Sequence, residues 1–134
     1  MQNELTWQRR ILPNGLRLLL YPRKSVLTTQ IGVAINYGAN MDSDLTAGRA
    51  HFLEHMIAGG SDKRIDLSRK LEFLGGIIDF ETRPEYTYCY IDVTPEKISD
   101  ATKILSELLF DSIFDLSHFI KTEIINSSSS CICQ

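Results

Sequence analysis

The chain has 134 residues, a net charge of −3, 43% hydrophobic and 23% charged residues, which fits one domain with a real core. Lys and Arg never exceed two in a row, so there is no electrostatic footprint for nucleic acid. No apolar run approaches the ~20 residues of a membrane span.

In chain order, a strand is expected over Leu5 to Ile11, with Leu5, Trp7, Arg9 and Ile11 on one face. Pro13-Asn14-Gly15 is a hairpin signal, because Asn and Gly tolerate positive φ. Leu16 to Tyr21 is the return strand, and Leu18-Leu19-Leu20 suggests burial on both faces. After a turn at Pro22 to Ser25, Thr28 to Tyr37 alternates as a third strand, with Ile31, Val33 and Ile35 inward. Gly38 to Leu45 reads as a loop. A helix follows from about Thr46 to Ala58, capped by Asp44 or Thr46 and closed by Gly59-Gly60-Ser61. Its core face is Phe52, Leu53 and Met56.

A second helix covers about Asp66 to Leu74, with Leu67, Leu71 and Leu74 at helical spacing, and Gly75-Gly76 ends it. Ile77 to Thr82 and Glu85 to Val93 are strands, and the Tyr86-Tyr88-Tyr90 alternation is a cross-strand packing row. Thr94-Pro95 opens a helix to about Leu109 whose buried stripe is Ile98, Ala101, Ile104, Leu105 and Leu108. A last helix is expected from Leu116 or Ser117, carrying Phe119, Ile120, Ile124 and Ile125. Residues 127–134 are a serine- and cysteine-rich tail without amphipathic pattern. The order predicts an α+β fold: a mostly antiparallel sheet with helices packed on one face.

The chemistry concentrates in Gly48-Arg49-Ala50-His51-Phe52-Leu53-Glu54-His55-Met56. On a helix, residues i, i+3 and i+4 share one face, so His51, Glu54 and His55 point the same way. Two imidazoles can hold zinc while the carboxylate takes a proton from a metal-bound water. The order H-x-x-E-H is an inverted zinc-peptidase signature. The bland alternative is a helix whose histidines merely flank the core. Three cysteines without framework spacing, and an N-terminus without a secretory pattern, predict a reduced, cytoplasmic chain.

These segments resemble the N-terminal part of the inverted-zincin metallopeptidases, the pitrilysin, insulin-degrading enzyme and mitochondrial processing peptidase type. "RRILPNGLRLLLYP" is similar to the family's first hairpin, "GRAHFLEHM" to its zinc helix, and "LEFLGGIIDFETRPEYTYCYIDV" to the helix, Gly-Gly turn and strand pair that follow. The resemblance implies the partial first domain of a two-layer α/β sandwich, residues 1–126, followed by a non-native or disordered tail. It implies His51 and His55 as zinc ligands and Glu54 as general base in peptide hydrolysis. It further implies an extended peptide substrate added to the strand Ile77 to Thr82, with Asp79, Phe80 and Thr82 as substrate-binding residues. The family's Asn-Ala is Asp79-Phe80 here. The family's third ligand, a glutamate, falls at Ser127 or Ser128, leaving Glu123, Cys131 and Cys133 as weak substitutes, and Lys121 stands where a further family glutamate belongs. The implied chain is truncated, pairs as a homodimer or with a second peptidase-like half, and is either a zinc metalloendopeptidase or a non-catalytic homologue that binds peptide or a partner subunit.

Overall fold

The computed structural model describes residues 6–59 and 61–111, together with Ser117 and Ile120. The rest of the expected last helix, the third-ligand position at Ser127 or Ser128, Lys121, Glu123 and the cysteines of the tail lie outside the described residues, as do Leu5 and Gly60. The chain forms strands β1 (Gln8–Ile11), β2 (Arg17–Leu20) and β3 (Thr29–Ile35), helices α1 (Arg49–Gly59) and α2 (Asp62–Phe73), strands β4 (Ile77–Thr82) and β5 (Thr87–Val93), and helix α3 (Ile98–Phe110). This is the expected α+β class, but the strands form two sheets: a β1–β2 hairpin and a three-stranded antiparallel sheet in the order β3-β5-β4.

The register of the larger sheet explains where its core lies. Ile31, Ile91 and Ile78 stand in one row across the three strands, Val33, Cys89 and Phe80 in the next, and Ile35, Thr87 and Thr82 in the third. Successive side chains alternate between faces, so all three rows share one face. The helices cover that face: Ile91, Val93 and Cys89 cluster with Leu67 and Leu71 of α2 and with Ala101, Ile104, Leu105 and Leu108 of α3. Ile31, Val33, Ile78 and Phe80 pack against this cluster from the flanking strands. Gly76 matters here, because a Cβ at that position would meet the Leu71 and Val93 side chains at 2.6–2.8 Å and force them to shift. The opposite face carries the tyrosines: Tyr88 stacks on Tyr90 with centroids 5.4 Å apart, and its ring lies over Gly32 on the neighbouring strand. Tyr86 falls before β5 and is exposed.

The hairpin departs from expectation. Its turn is as predicted, with Gly15 at φ 85° and the Asn14 side chain accepting from the Leu16 amide at 3.1 Å. The expected burial of Leu18-Leu19-Leu20 on both faces is not found: Leu19 is 62% exposed and Leu20 38%. A two-stranded ribbon has no layer to bury both faces against, and Trp7 on Tyr21, at 4.7 Å, is its ring contact.

The helices begin differently from their predicted starts. A 3-10 turn at Asp44–Thr46, closed by a reciprocal Ser43–Thr46 capping box, comes first, and α1 starts at Arg49, three residues after the predicted Thr46. Ser61 caps α2, its Oγ accepting from the Arg64 amide at 3.3 Å, so α2 starts four residues before the predicted Asp66. In α1 the buried residues are Ala50, Met56 and Ile57, whereas Leu53 is 42% exposed. The short helix turns its Leu53 edge outward because β4 and α2 cover only the other side.

Candidate metal centre

Gly48 sets up the helix that carries the motif. Its φ of 88° is open to glycine at no steric cost, and its carbonyl accepts from the Phe52 amide at 2.8 Å to begin the helical ladder. The orphan amide of Ala50 donates to Asp42 Oδ2 at 3.2 Å. Asp42 thus supports the helix N-terminus, in place of the predicted Asp44 or Thr46. Its other oxygen accepts from the Tyr37 hydroxyl at 3.1 Å, and the Tyr37 carbonyl accepts from Thr87 Oγ1 at 2.8 Å. A polar chain therefore runs from β5 to the start of α1. The loop is held from the other side as well: the Ala39 and Asn40 amides donate to the carbonyls of Arg83 and Pro84 at 3.0 and 2.8 Å.

Helical spacing then brings His51, Glu54 and His55 together. One ligand-capable atom from each lies within 4.8 Å of the others, a cluster able to coordinate a metal ion. The two Nε2 atoms face each other at 3.1 Å, with ring planes tilted by 53°. Zinc–nitrogen bonds of about 2.0–2.1 Å at a tetrahedral angle separate two imidazole nitrogens by about 3.3 Å, so the pair fits a shared ion with little movement. The cluster is open to solvent on the His51 side and half-buried at Glu54 and His55. Among the described residues the ligand set is incomplete, since catalytic zinc sites take three protein ligands.

Glu54 is fixed from the sheet. Thr82 Oγ1, at the end of β4, donates to Glu54 Oε2. The structure therefore brings Thr82 together with the His51-Glu54-His55 cluster. Phe80 sits two residues back on the same face, half-buried against the core. Asp79 lies on the opposite face, accepting from the Tyr90 hydroxyl at 3.0 Å and from the Phe80 amide at 2.9 Å. That bond raises the Tyr90 phenol above its ordinary range. The β4 strand is one of the two outer strands of its sheet among the described residues.

The C-terminal end of α1 rests on Arg64, which sequence reasoning passed over. Arg64 is 1% exposed, and its Nη1 donates to the Ile57 carbonyl at 2.6 Å, one of the acceptors a helix end leaves without an intrahelical partner. Burial lowers its pKa, and the charge of Asp111 partly offsets this. A signal was present: Arg64 stands three and seven residues before Leu67 and Leu71, on the buried stripe of α2. Cys89 is no ligand candidate. Burial first, then the charges of Asp79 and Glu54, push its thiol up to about 12, so it stays protonated inside the core.

A two-layer α/β half-sandwich with an H-x-x-E-H helix facing the end of an outer strand defines the inverted-zincin metallopeptidase class. The sequence matches Insulinase (Peptidase family M16) over residues 19–130, and the chain belongs to that family. It is 39% identical over 106 residues to the probable mitochondrial-processing peptidase subunit beta of Arabidopsis thaliana, covering 78% of this chain and 20% of that protein. It is 33% identical over 103 residues to the ubiquinol-cytochrome-c reductase complex core protein I, mitochondrial, of Euglena gracilis, covering 75% and 21%. Among solved structures, a protease from Helicobacter pylori superimposes with a TM-score of 0.85 at 18% identity, over 93% of this chain and 30% of that one, a likeness of fold. Pitrilysin superimposes with a TM-score of 0.69 at 26% identity, over 80% and 12%. The chain thus spans about a fifth of the length of these two curated relatives. Both are mitochondrial by name, which overturns the expectation of a cytoplasmic chain. Unpaired cysteines report a reducing environment, not which compartment supplies it. No described helix is long and apolar enough to cross a membrane.

Proposed function

We propose that this chain carries the metal-and-base half of a zinc-dependent metalloendopeptidase site, with His51 and His55 as zinc ligands and Glu54 as general base. The observation that carries the reading is the 3.1 Å approach of the two Nε2 atoms beside a carboxylate fixed on the same helix face. When bound, zinc supplies Lewis acidity and lowers the pKa of a water ligand to about 7. The protein's own groups do the rest. Both imidazoles must be neutral to bind, and α1 holds them one turn apart. Glu54 accepts a proton at its carboxylate as the peptide carbonyl is attacked. The edge of β4 (Ile77–Thr82), unpaired among the described residues, offers backbone donors and acceptors to an extended peptide. Residues 1–126 form the peptidase-like portion in this reading, and residues 127–134 a separate tail. Further substrate-binding groups come from a second peptidase-like half or a second copy.

The second reading is a non-catalytic partner subunit. It is favoured by serine at the position where the resemblance puts the third ligand, and by a relative named as core protein I of the ubiquinol-cytochrome-c reductase complex.

One experiment divides them. The full chain is equilibrated with zinc, freed of unbound metal and assayed for metal content, then for peptide hydrolysis with and without chelator beside Glu54→Gln. Near-stoichiometric zinc with chelator-sensitive hydrolysis lost in Glu54→Gln supports the peptidase. Zinc without hydrolysis supports the partner subunit. Less than about a tenth of an equivalent at micromolar protein, far below even a micromolar site, would defeat the metal centre.

A further inference from the structure

The Glu54 carboxylate lies within 4.8 Å of ligand atoms of both histidines. Carboxylate is a good zinc ligand. In a cluster short of ligands, an unrestrained Glu54 would swing onto the ion and cease to be a base. The restraint on the page is Thr82, whose hydroxyl donates to Glu54 Oε2 from 28 residues away. We propose that Thr82 is a positioning residue that holds the Glu54 carboxylate off the metal and keeps it a base. The inference rests on the metal-centre reading above.

Thr82 is suited to the task. It is β-branched, so its χ1 is restricted. It ends β4 directly opposite Thr87, which is buried and donates to the Tyr37 carbonyl at 2.8 Å. The turn beyond it is closed by the Arg83 amide on the Tyr86 carbonyl at 2.8 Å, and stapled to the loop that starts α1 through the Arg83 and Pro84 carbonyls. Donor and acceptor are therefore mounted on one frame. A hydrogen bond to a carboxylate is also roughly twice as strong as one between neutral groups. The resemblance assigns Thr82 to substrate; the geometry gives its hydroxyl to Glu54.

The test is zinc affinity, by competition with a chromophoric chelator, for the full-length wild type, Thr82→Val, Thr82→Ser, Glu54→Ala and the Thr82→Val/Glu54→Ala double variant. Thr82→Val should bind zinc about tenfold more tightly, ~1.4 kcal/mol, because the freed carboxylate becomes a ligand. Thr82→Ser should stay within about twofold of wild type. The double variant should match Glu54→Ala. With cobalt in place of zinc, the visible absorption of Thr82→Val should change while that of Thr82→Ser does not. Equal or weaker binding by Thr82→Val, or the same tightening in the Glu54→Ala background, overturns the proposal. Should Thr82→Val lose its native circular dichroism, Thr82→Ala replaces it. If the wild type itself takes up no zinc, the metal-centre reading fails, and the Thr82–Glu54 bond is judged on the metal-free proteins. Urea midpoints of the single and double variants that do not add support the restraint; additive midpoints overturn it.

Discussion

The β1–β2 hairpin and the β3-β5-β4 sheet are made of the same antiparallel pairing, yet they do different work. The hairpin satisfies its backbone and leaves Leu19 and Trp7 in solvent. The larger sheet has a helical layer on one face, and every residue that supports the metal helix is tied to it or to that layer. Alternation in a strand fixes which residues share a face. Burial needs a second layer, and only the larger sheet has one among the described residues.

The sharpest way to break this comparison is to cut into the packed layer. Leu71→Ala, at a position with no exposure, should cost about 2–5 kcal/mol by urea denaturation. Arg64→Ala comes next. It removes the buried donor from the Ile57 carbonyl and should cost about 1.5–3 kcal/mol, the range for hydrogen bonds to charged groups.

A pH test follows from Cys89. Its folded pKa is raised from 9.0 to about 12, so the folded state holds the proton more tightly than the unfolded state. The stability from this group is full below pH 9 and is lost as pH climbs toward 12, by up to about 1.4 kcal/mol per pH unit. Cys89→Val should flatten that slope when stability is measured across the same window. At the small end, Leu19→Ser in the hairpin should change stability by no more than about 0.5 kcal/mol, as an exposed substitution does. A loss as large as that of Leu71→Ala would mean the hairpin has a packing layer after all.

Much of the molecule was legible in its sequence because the signals were local. Period-2 alternation located β3 and β5, and the stripe of Ala101, Ile104, Leu105 and Leu108 located α3. The i, i+3, i+4 spacing put His51, Glu54 and His55 on one face before any coordinate was known. What was not legible depended on tertiary partners. Asp42 displaced the nearer caps because Tyr37 and Ala50 meet at it. The resemblance gives Thr82 to substrate, and its bond to Glu54 emerges only when α1 is laid across the end of β4. Leu18-Leu19-Leu20 looked like core because a hydrophobic run cannot reveal that no layer lies over it among the described residues.

The staples around α1 have a consequence for the order in which the site can come into being. The motif is complete once residue 55 has been synthesised. Its supports arrive later: Arg64 nine residues on, Thr82 twenty-seven, and Thr87, which anchors the chain to Asp42, thirty-two. An eleven-residue helix is marginal in water by itself, and β3 cannot find β5 until residues 87–93 exist. On the ribosome the metal helix is therefore an unfinished part, unable to hold its histidines in register or its carboxylate aside. In the reading proposed above, both histidines and the base take their places together, by closure of a sheet in which β3 and β5 lie some sixty residues apart.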